Sequence, residues 1–402
     1  MNPLLDRLNP YPFERLNALL EGVTPSREHE FIALSLGEPK HRAPDFLVDL
    51  YRQEDVIRQG FGTYPPTKGL PQLRQSIAEF VNRRFHLDAH PIDSESQLLP
   101  VNGTREALFA IAQAVIDPGE PGLTIMPNPF YQIYEGAAIL AGSRPFFVPC
   151  VAKTGFNPDF SGVTEDDWAN CRLVYICSPG NPTGAVMDVA AMQWLIEKSD
   201  EHGFIIASDE CYSEIYDDES TPPAGLLEAA CLMGRADYRN CITFNSLSKR
   251  SNLPGLRSGY VCGDASIIEK FLLYRTYHGS AMPVHNQLIS AAAWNDEQHV
   301  IDNRAVYRRK FDAVLDILGN VWAMDRPAGG FYLWPETPID DQAFTVRLME
   351  AANIKVVPGS YLSRDARGGN PGANRVRMAL VATLDECTAA AERLRDFMRH
   401  FV

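Results

Sequence analysis

Short apolar runs that alternate with helical stretches are the feature that most constrains the fold of this 402-residue chain. Continuous apolar runs of this length, separated by helices, are typical of buried strands in a largely parallel sheet. One such helix is predicted over Val189–His202. The runs are Leu123–Met126, Leu173–Cys177, Phe204–Ala207, Cys241–Phe244 and Tyr260–Cys262.

Helical periodicity also precedes these runs. Pro71–Phe85 places apolar residues at helical spacing after a Gly-Leu-Pro start, and Thr104–Ile116 forms a second strong pattern. The Asn102-Gly103 pair just before that second helix supplies turn chemistry. A further short helix is expected around Pro12–Leu20, within a Pro-rich and otherwise irregular N-terminal segment.

The sequence pattern changes after Val284, where a helical stretch from about His285 to Leu318 leads into a smaller α+β unit. We predict an α/β fold with a large, mostly parallel sheet domain, a smaller α+β C-terminal domain and a cleft between them. The expected bounds are 1–45 for an N-terminal arm that forms part of the small domain, 46–285 for the large domain and 286–402 for the small domain. The expected C-terminal elements are strands Phe331–Trp334, Lys355–Val357 and Val376–Val381 and helices near 341–352 and 384–398.

Polar side chains follow three of the predicted strands, at the edge where ligands bind in open α/β sheets. Each alone has an ordinary explanation as a turn, a helix N-cap or a surface lysine. Their coincidence at three consecutive strand ends favours a functional site. The residues are Asn181, then Asp209 with Tyr212, then Ser246, Ser248 and Lys249, with Arg257 eight positions beyond the lysine.

These strand-end residues resemble those of the class I and II aminotransferases of fold type I, a family that uses pyridoxal 5′-phosphate. The resemblance covers nearly the whole chain, because further family marks follow in order. One departure is Ser258, where the family more usually has an aliphatic residue. The marks are Ser35-Leu-Gly-Glu-Pro39, Tyr64 followed by Gly69, Asn102-Gly-Thr-Arg-Glu-Ala107, Tyr131 and Arg377.

The resemblance implies how the cofactor is held and used. Lys249 carries the cofactor on its amine, the group that condenses with an aldehyde, and later moves a proton at the substrate α-carbon. Asp209 faces the pyridine nitrogen and keeps it protonated. Tyr212 and Asn181 hydrogen-bond the ring oxygen. Tyr131 stacks on the ring face, with a plain core aromatic as the alternative.

The same resemblance implies a phosphate site at the start of the helix that follows Gly103. Backbone N–H groups at a helix N-terminus favour an anion, and an arginine adds a planar fork of donors. Tyr64 is similar to the family tyrosine that reaches the phosphate of the neighbouring subunit, which implies a homodimer with its sites at the interface. The other implied cofactor contacts are Thr104, Arg105, Ser246, Ser248 and Arg257.

The substrate is expected to bind through its carboxylates. Arg377 matches the family arginine that holds the α-carboxylate, and Arg375 is its rival because residues two apart face the same side of a strand. Gly37 and Asn181 match the positions that complete this contact. A second carboxylate would need a second cation, for which Arg275 is the candidate and a surface arginine the alternative.

Longer strings resemble the bacterial N-succinyl-LL-2,6-diaminopimelate aminotransferases. That likeness implies glutamate as amino donor and N-succinyl-2-amino-6-oxopimelate as acceptor. Aspartate, aromatic or broad-specificity aminotransferases, a lyase of the same fold and a non-catalytic cofactor-binding regulator are the alternatives. The strings are Asn9-Pro-Tyr-Pro-Phe13, Pro127-Asn-Pro-Phe-Tyr-Gln-Ile-Tyr-Glu-Gly136, Ser248-Lys-Arg-Ser-Asn-Leu-Pro-Gly-Leu-Arg-Ser258 and Tyr274-Arg-Thr-Tyr-His-Gly279.

Charge and composition limit the partners. With 37 Lys and Arg against 51 Asp and Glu, the formal charge of −14 argues against nucleic acid and anionic membrane surfaces. No apolar run approaches a spanning helix and the first residues do not resemble a signal peptide, so a cytoplasmic location is expected. The eight cysteines form no C-x-x-C pair, and we expect no metal.

Overall fold

A computed structural model describes residues 1–366 and 368–401. Its helices are α1 Pro12–Leu19, α2 Asp45–Tyr51, α3 Glu54–Gly62, α4 Pro71–Arg84, α5 Thr104–Val115, α6 Ile133–Leu140, α7 Glu165–Ala169, α8 Val189–His202, α9 Leu226–Leu232, α10 Leu247–Arg250, α11 Ala265–His278, α12 Val284–Asn295, α13 Gln298–Leu318, α14 Asp341–Ala352 and α15 Leu384–Met398. Its strands are β1 Ile32–Ala33, β2 Leu98–Val101, β3 Leu123–Asn128, β4 Arg144–Pro149, β5 Cys171–Cys177, β6 Ile205–Asp209, β7 Cys241–Ser246, β8 Gly259–Gly263, β9 Tyr332–Leu333, β10 Ile354–Lys355, β11 Val357–Pro358 and β12 Val376–Ala379.

A seven-stranded sheet with the order β2-β8-β7-β6-β5-β3-β4 forms the centre of the molecule. Strand β8 is antiparallel to both of its neighbours, and the other pairs are parallel. Successive residues of β5 face opposite sides, so Val174 and Ile176 join one buried cluster while Leu173 and Tyr175 join another. The sheet is therefore buried on both faces, which confirms the predicted α/β class with a mostly parallel sheet.

The five apolar runs all form strands of this sheet, whereas strands β2 and β4 were not predicted. Both carry prolines, in Leu-Leu-Pro-Val and Arg-Pro-Phe-Phe-Val-Pro. Both also lie at the two edges of the sheet, where a residue that lacks an N–H donor is tolerated. The prolines therefore argued against two strands that do form, because both lie at the sheet edges, where proline costs no hydrogen bond within the sheet.

The C-terminal elements form a three-stranded sheet, β11-β12-β9, and a two-stranded pair in which β1 of the N-terminal arm joins β10. The stretch expected as one helix over 285–318 is two helices, because the chain leaves the helix at Asp296. The expected strand over 355–357 is likewise divided between β10 and β11.

The division into domains remains a proposal. Helix α12 packs against the large sheet's helices, with Trp294 4.8 Å from the Phe80 ring. This packing favours a boundary near Asp296 rather than residue 285. Across 1–366 and 368–401, no helix is both long and apolar enough to cross a membrane.

Candidate active site

A cavity of about 490 Å³ lies at the carboxyl ends of β5, β6 and β7. The N-terminal arm and strands β9 and β12 line its other sides. Of the candidate site residues from the sequence, all except Gly103, Tyr64, Arg275 and the alternative anchor Arg375 line this cavity. The strand-end argument therefore brought together residues that the fold does place around one space.

Lys249 lies on α10, a four-residue helix that begins where β7 ends. The hydroxyl of Ser246 caps this helix by accepting a hydrogen bond from Ser248 N at 3.1 Å, which fixes the direction of the helix. Burial lowers the pKa of the Lys249 amine, and the charges of Arg257 and Arg105 also lower it. A larger neutral fraction makes the amine a better nucleophile and proton carrier.

Asp209 ends β6 with its side chain only 4% exposed. Its Oδ2 accepts a hydrogen bond from the Tyr134 hydroxyl at 2.6 Å, and its Oδ1 accepts one from Cys211 N at 3.2 Å. Burial raises the pKa of this carboxyl group, while these hydrogen bonds oppose the rise. A carboxylate in such a place gains most from a ligand that brings a cationic N–H group to it.

Arg377, rather than Arg375, reaches the cavity. Its Nη1 donates to Asn181 Oδ1 at 3.0 Å and its Nη2 to Ser35 O at 2.7 Å, while its buried Nε has no hydrogen-bond partner. Arg375 precedes β12 and donates to Trp334 O at 2.9 Å, with Glu336 3.5 Å away. The guanidinium of Arg377 is thus the one held ready for an anion in the cavity.

Two tyrosines contact one another beside Arg377. The hydroxyls of Tyr212 and Tyr332 lie 2.9 Å apart, and the Tyr332 ring lies 4.7 Å from the Arg377 guanidinium carbon. A methyl group at Gly37 would overlap the Tyr332 hydroxyl, so only glycine fits at that position. Its backbone can therefore approach the cavity closely.

An anion-binding cradle lies at the start of α5. Gly103 has φ +79° and ψ 155°, a conformation that is essentially restricted to glycine, and a side chain there would overlap the Arg257 guanidinium. Arg257 is held by a 2.8 Å hydrogen bond to Pro254 O. The hydroxyls of Ser246 and Ser248 lie 2.9 Å apart on the adjoining wall. Helix N–H groups, two hydroxyls and a guanidinium suit a phosphate.

Arg105 and Tyr131 form one wall of the cavity. Arg105 Nε donates to the Tyr131 hydroxyl at 2.9 Å, and the Tyr131 ring meets the Tyr134 ring edge-on at 5.8 Å. The resemblance implied that Arg105 is a cofactor contact, and the structure places its side chain on the cavity wall. Tyr131 is exposed to the cavity and not simply a core aromatic.

Arg275 and Tyr64 lie away from the cavity. The Arg275 guanidinium is 1% exposed and donates to both Glu106 oxygens at 2.7 and 2.8 Å and to Ser280 O at 2.8 Å. This corrects the expectation that Arg275 contacts a second substrate carboxylate, since the guanidinium is buried away from the cavity and pairs with Glu106. Tyr64 is fully exposed, so any contact with a phosphate would require another chain.

Some cavity residues escaped the sequence argument. Tyr332 and Cys211 line the cavity, and Tyr134 supports Asp209 from behind. Tyr134 had one signal, its position three residues after Tyr131, which places the two rings near one another around the start of α6. Tyr332 lies in an aromatic run that a strand pattern alone does not distinguish from core.

Potential metal ligands meet at one place within 1–366 and 368–401, where the ligand atoms of Glu165, Glu201 and His202 lie within 4.8 Å of one another. Lys198 already pairs with Glu165 at 3.5 Å and with Glu201 at 2.8 Å. None of these residues lines the cavity.

Comparison with known proteins gives a consistent picture. The family model for aminotransferase class I and II matches residues 29–394. An LL-diaminopimelate aminotransferase of Desulforudis audaxviator is 29% identical over 392 residues, which cover 96% of this chain and 95% of that protein. A second LL-diaminopimelate aminotransferase, from Moorella thermoacetica, is also 29% identical and covers 96% of each chain.

Solved structures agree in fold. An aminotransferase from Neisseria meningitidis superposes with a TM-score of 0.94 at 47% identity, over 99% of this chain and 100% of that one. The aminotransferase AspB from Helicobacter pylori superposes with a TM-score of 0.89 at 32% identity, over 98% and 99% of the two chains.

Proposed function

Since this chain belongs to the class I and II aminotransferases, which depend on pyridoxal 5′-phosphate, we propose that it exchanges amino groups in the cavity around Lys249. The observation that carries this proposal is the arrangement of one amine between a buried carboxylate and an anion cradle. The carboxylate is Asp209, and the cradle is formed by Gly103, Arg257 and their neighbours.

The residues present fit the cofactor. The cradle at the start of α5, where only glycine fits at position 103, would hold the phosphate. Asp209 would accept a hydrogen bond from the protonated ring nitrogen. Pyridoxal 5′-phosphate, when bound, supplies an aldehyde for amino-group exchange and a ring that accepts electrons. Tyr212 and Asn181 would orient the ring, and Tyr131 would lie against its face.

Proton transfer and substrate binding fall to side chains and backbone of the protein itself. The Lys249 amine, whose pKa burial lowers, would remove the proton from the α-carbon of the amino donor and, in the second half of the exchange, deliver a proton to the α-carbon of the acceptor. Arg377 holds the α-carboxylate through a paired hydrogen bond, and Asn181 keeps the guanidinium in place. The backbone at Gly37 completes this end of the site.

For the substrate, we propose glutamate as donor and N-succinyl-2-amino-6-oxopimelate as acceptor. Support comes from the long strings noted above and from the apolar wall that the arm builds beside Arg377, with the Phe13 ring 5.9 Å from its guanidinium carbon. Tyr11, Leu36 and Leu362 extend this wall. A succinyl amide replaces an ammonium group by an uncharged amide and adds methylene groups that suit such a surface. The carboxylate at its end still needs a cation, and Arg105 lines the same cavity.

LL-diaminopimelate is the second candidate, favoured by what the relatives are named for. Its far end carries an ammonium group, which needs a carboxylate partner. With Asp209 assigned to the ring nitrogen, Glu38 is the other carboxylate that lines the cavity within the described residues, and its side chain is exposed.

The two candidates are separated by measuring turnover of each diamino compound with 2-oxoglutarate, in the natural protein and in Glu38→Gln. We expect the succinylated compound to react at least tenfold more efficiently, with kcat/KM unchanged within twofold in Glu38→Gln. Preference for free LL-diaminopimelate, lost in that variant, would replace our choice of acceptor. Reaction of neither compound, with turnover of another amino acid, would leave only the aminotransferase class.

We also propose that two copies associate through the face that carries Tyr64. Tyr64 and Phe61, three positions before it, are aromatic side chains that are 100% and 82% exposed in one chain. Exposed aromatic groups of this kind are enriched at interfaces. Sedimentation should give the mass of a dimer, and Tyr64→Phe should weaken cofactor binding only if the tyrosine reaches the other copy's phosphate.

A further inference from the structure

A chain of hydrogen bonds, fully buried at Lys310 and half-buried at His41 and Asn303, runs from the end of the strand that carries Arg377 to the backbone of Lys249. Lys310 on α13 is fully buried, and its Nζ donates to Leu380 O at 3.2 Å, just beyond β12. Its Nζ also lies 2.6 Å from His41 Nε2. His41 Nδ1 in turn lies 2.7 Å from Asn303 Oδ1.

The chain ends on the catalytic helix itself. Asn303 Nδ2 donates to the carbonyl of Lys249 at 3.2 Å and to that of Arg250 at 3.4 Å. These are the last carbonyl groups of α10, which a four-residue helix leaves without partners of its own. Asn303 therefore closes the C-terminal end of the helix, while Ser246 caps its beginning.

The donors and acceptors allow one arrangement. Because the Asn303 amide nitrogen faces two carbonyls, its oxygen faces His41, so His41 Nδ1 carries the proton and donates it. His41 Nε2 is then free to accept from the Lys310 ammonium group. Burial and the Lys310 charge both lower the pKa of His41, to about 4, which keeps the ring neutral as this arrangement requires.

The surroundings hold the chain in place. The His41 ring packs at 4.6 Å from the ring of Tyr307, which is 1% exposed. The backbone oxygen of His41 accepts a hydrogen bond from Asn252. The N-terminal arm and α13 thus meet at the imidazole ring, and the turn after α10 contacts the arm through Asn252.

Resting on the function proposed above, we infer that Lys310, His41 and Asn303 are positioning residues that fix the Lys249 helix relative to the strand that bears Arg377. Arg377 sets where the substrate α-carbon lies, and Lys249 must reach the proton on that carbon. A displacement of about 1 Å in such a pair can cost about a hundredfold in rate. We call these three residues the relay. It joins the Lys249 helix to the strand of Arg377, and none of its residues lines the cavity.

The test compares Asn303→Leu and His41→Phe with Asp316→Asn, an exposed control on the same helix. Leucine keeps the branched shape of asparagine without its hydrogen-bonding atoms, and phenylalanine keeps a ring that can pack on Tyr307. In the cofactor-loaded protein, we expect each relay variant to lower kcat at least tenfold while KM for glutamate stays within twofold. A general loss of structure would instead change both constants and cofactor content.

Hydrogen exchange and a double variant test the inference independently of the single-variant kinetics. Amide hydrogen exchange over 247–253 should quicken in both relay variants and not in Asp316→Asn. The double variant should lose no more than about twofold beyond the worse single variant, because both changes break one chain. Unchanged kcat, unchanged exchange or multiplied losses would each overturn the inference. If the natural protein transfers no amino group at all, the proposed function fails and hydrogen exchange alone decides the relay.

Discussion

Replacing Gly103 by alanine tests the anion cradle at a single atom. Gly103 precedes α5 with φ +79° and ψ 155°, and an added methyl group would overlap the Arg257 guanidinium. Gly203 offers a matched control, because it ends α8 with φ +80° and a methyl group there meets nothing within 4 Å. Both changes strain the backbone, but only Gly103→Ala displaces an arginine.

The magnitudes separate the two effects. Backbone strain of about 1–3 kcal/mol should lower the stability of both variants to unfolding. Displacing Arg257 should also remove charge-assisted hydrogen bonds worth about 1.5–3 kcal/mol to a bound phosphate. At a factor of ten for about 1.4 kcal/mol, Gly103→Ala should bind pyridoxal 5′-phosphate about 10- to 150-fold more weakly.

Fluorescence titration of the cofactor-free proteins with pyridoxal 5′-phosphate measures this difference directly. Circular dichroism before the titration confirms that each variant is folded. Gly203→Ala should bind the cofactor within about twofold of the natural protein. If Gly103→Ala binds equally well, the cradle does not hold the phosphate and the orientation of the cofactor proposed here is incorrect.

Three other predictions follow from contacts in and around the cavity. Arg377→Gln should raise KM for glutamate about 10- to 100-fold through loss of the paired hydrogen bond, whereas Arg375→Gln should change it less than twofold in steady-state assays. Arg275→Gln should lower the free energy of unfolding in urea by about 3 kcal/mol, because it breaks a buried pair with Glu106, yet leave KM within twofold; a raised KM for the acceptor alone would restore Arg275 as a substrate contact. His41, with its pKa lowered from 6.5 to about 4, binds a proton in the unfolded chain but not in the folded one between these values, so stability falls as the pH drops through this window. His41→Phe should flatten that fall by about 1 kcal/mol between pH 7 and pH 5 after allowance for solvent screening, and an unchanged slope in urea titrations would show that His41 is protonated alike in both states.

The sequence was most informative where local pattern and topology coincide. Apolar runs identified the central strands, and the rule that ligands bind at their carboxyl ends brought Asn181, Asp209 and Lys249 together before any coordinates. Helix α8 has the predicted bounds, because Asp188 caps its start and Gly203 takes the left-handed conformation that ends it.

The sequence was least informative where a residue's role depends on a distant neighbour. The charge of Arg275 suits a substrate carboxylate, but the structure buries this arginine in a pair with Glu106 of α5, away from the cavity. Arg375 bridges to Glu336 and donates to Trp334 O, whereas Arg377 lines the cavity, and the spacing of the two arginines in the sequence does not show this difference. The contact of Tyr134 with Asp209 joins residues 75 positions apart and exists only once α6 packs on the sheet.

The most direct test of the central claim, that the Lys249 amine receives the cofactor aldehyde, is a chemical trap. Borohydride reduction of the protein loaded with pyridoxal 5′-phosphate makes the lysine–aldehyde linkage permanent, and peptide mass mapping then locates it. We expect the added mass on the peptide that contains Lys249, and on no lysine peptide of Lys249→Ala treated in the same way. Added mass on another lysine, or none on the loaded natural protein, would contradict the site and the mechanism together.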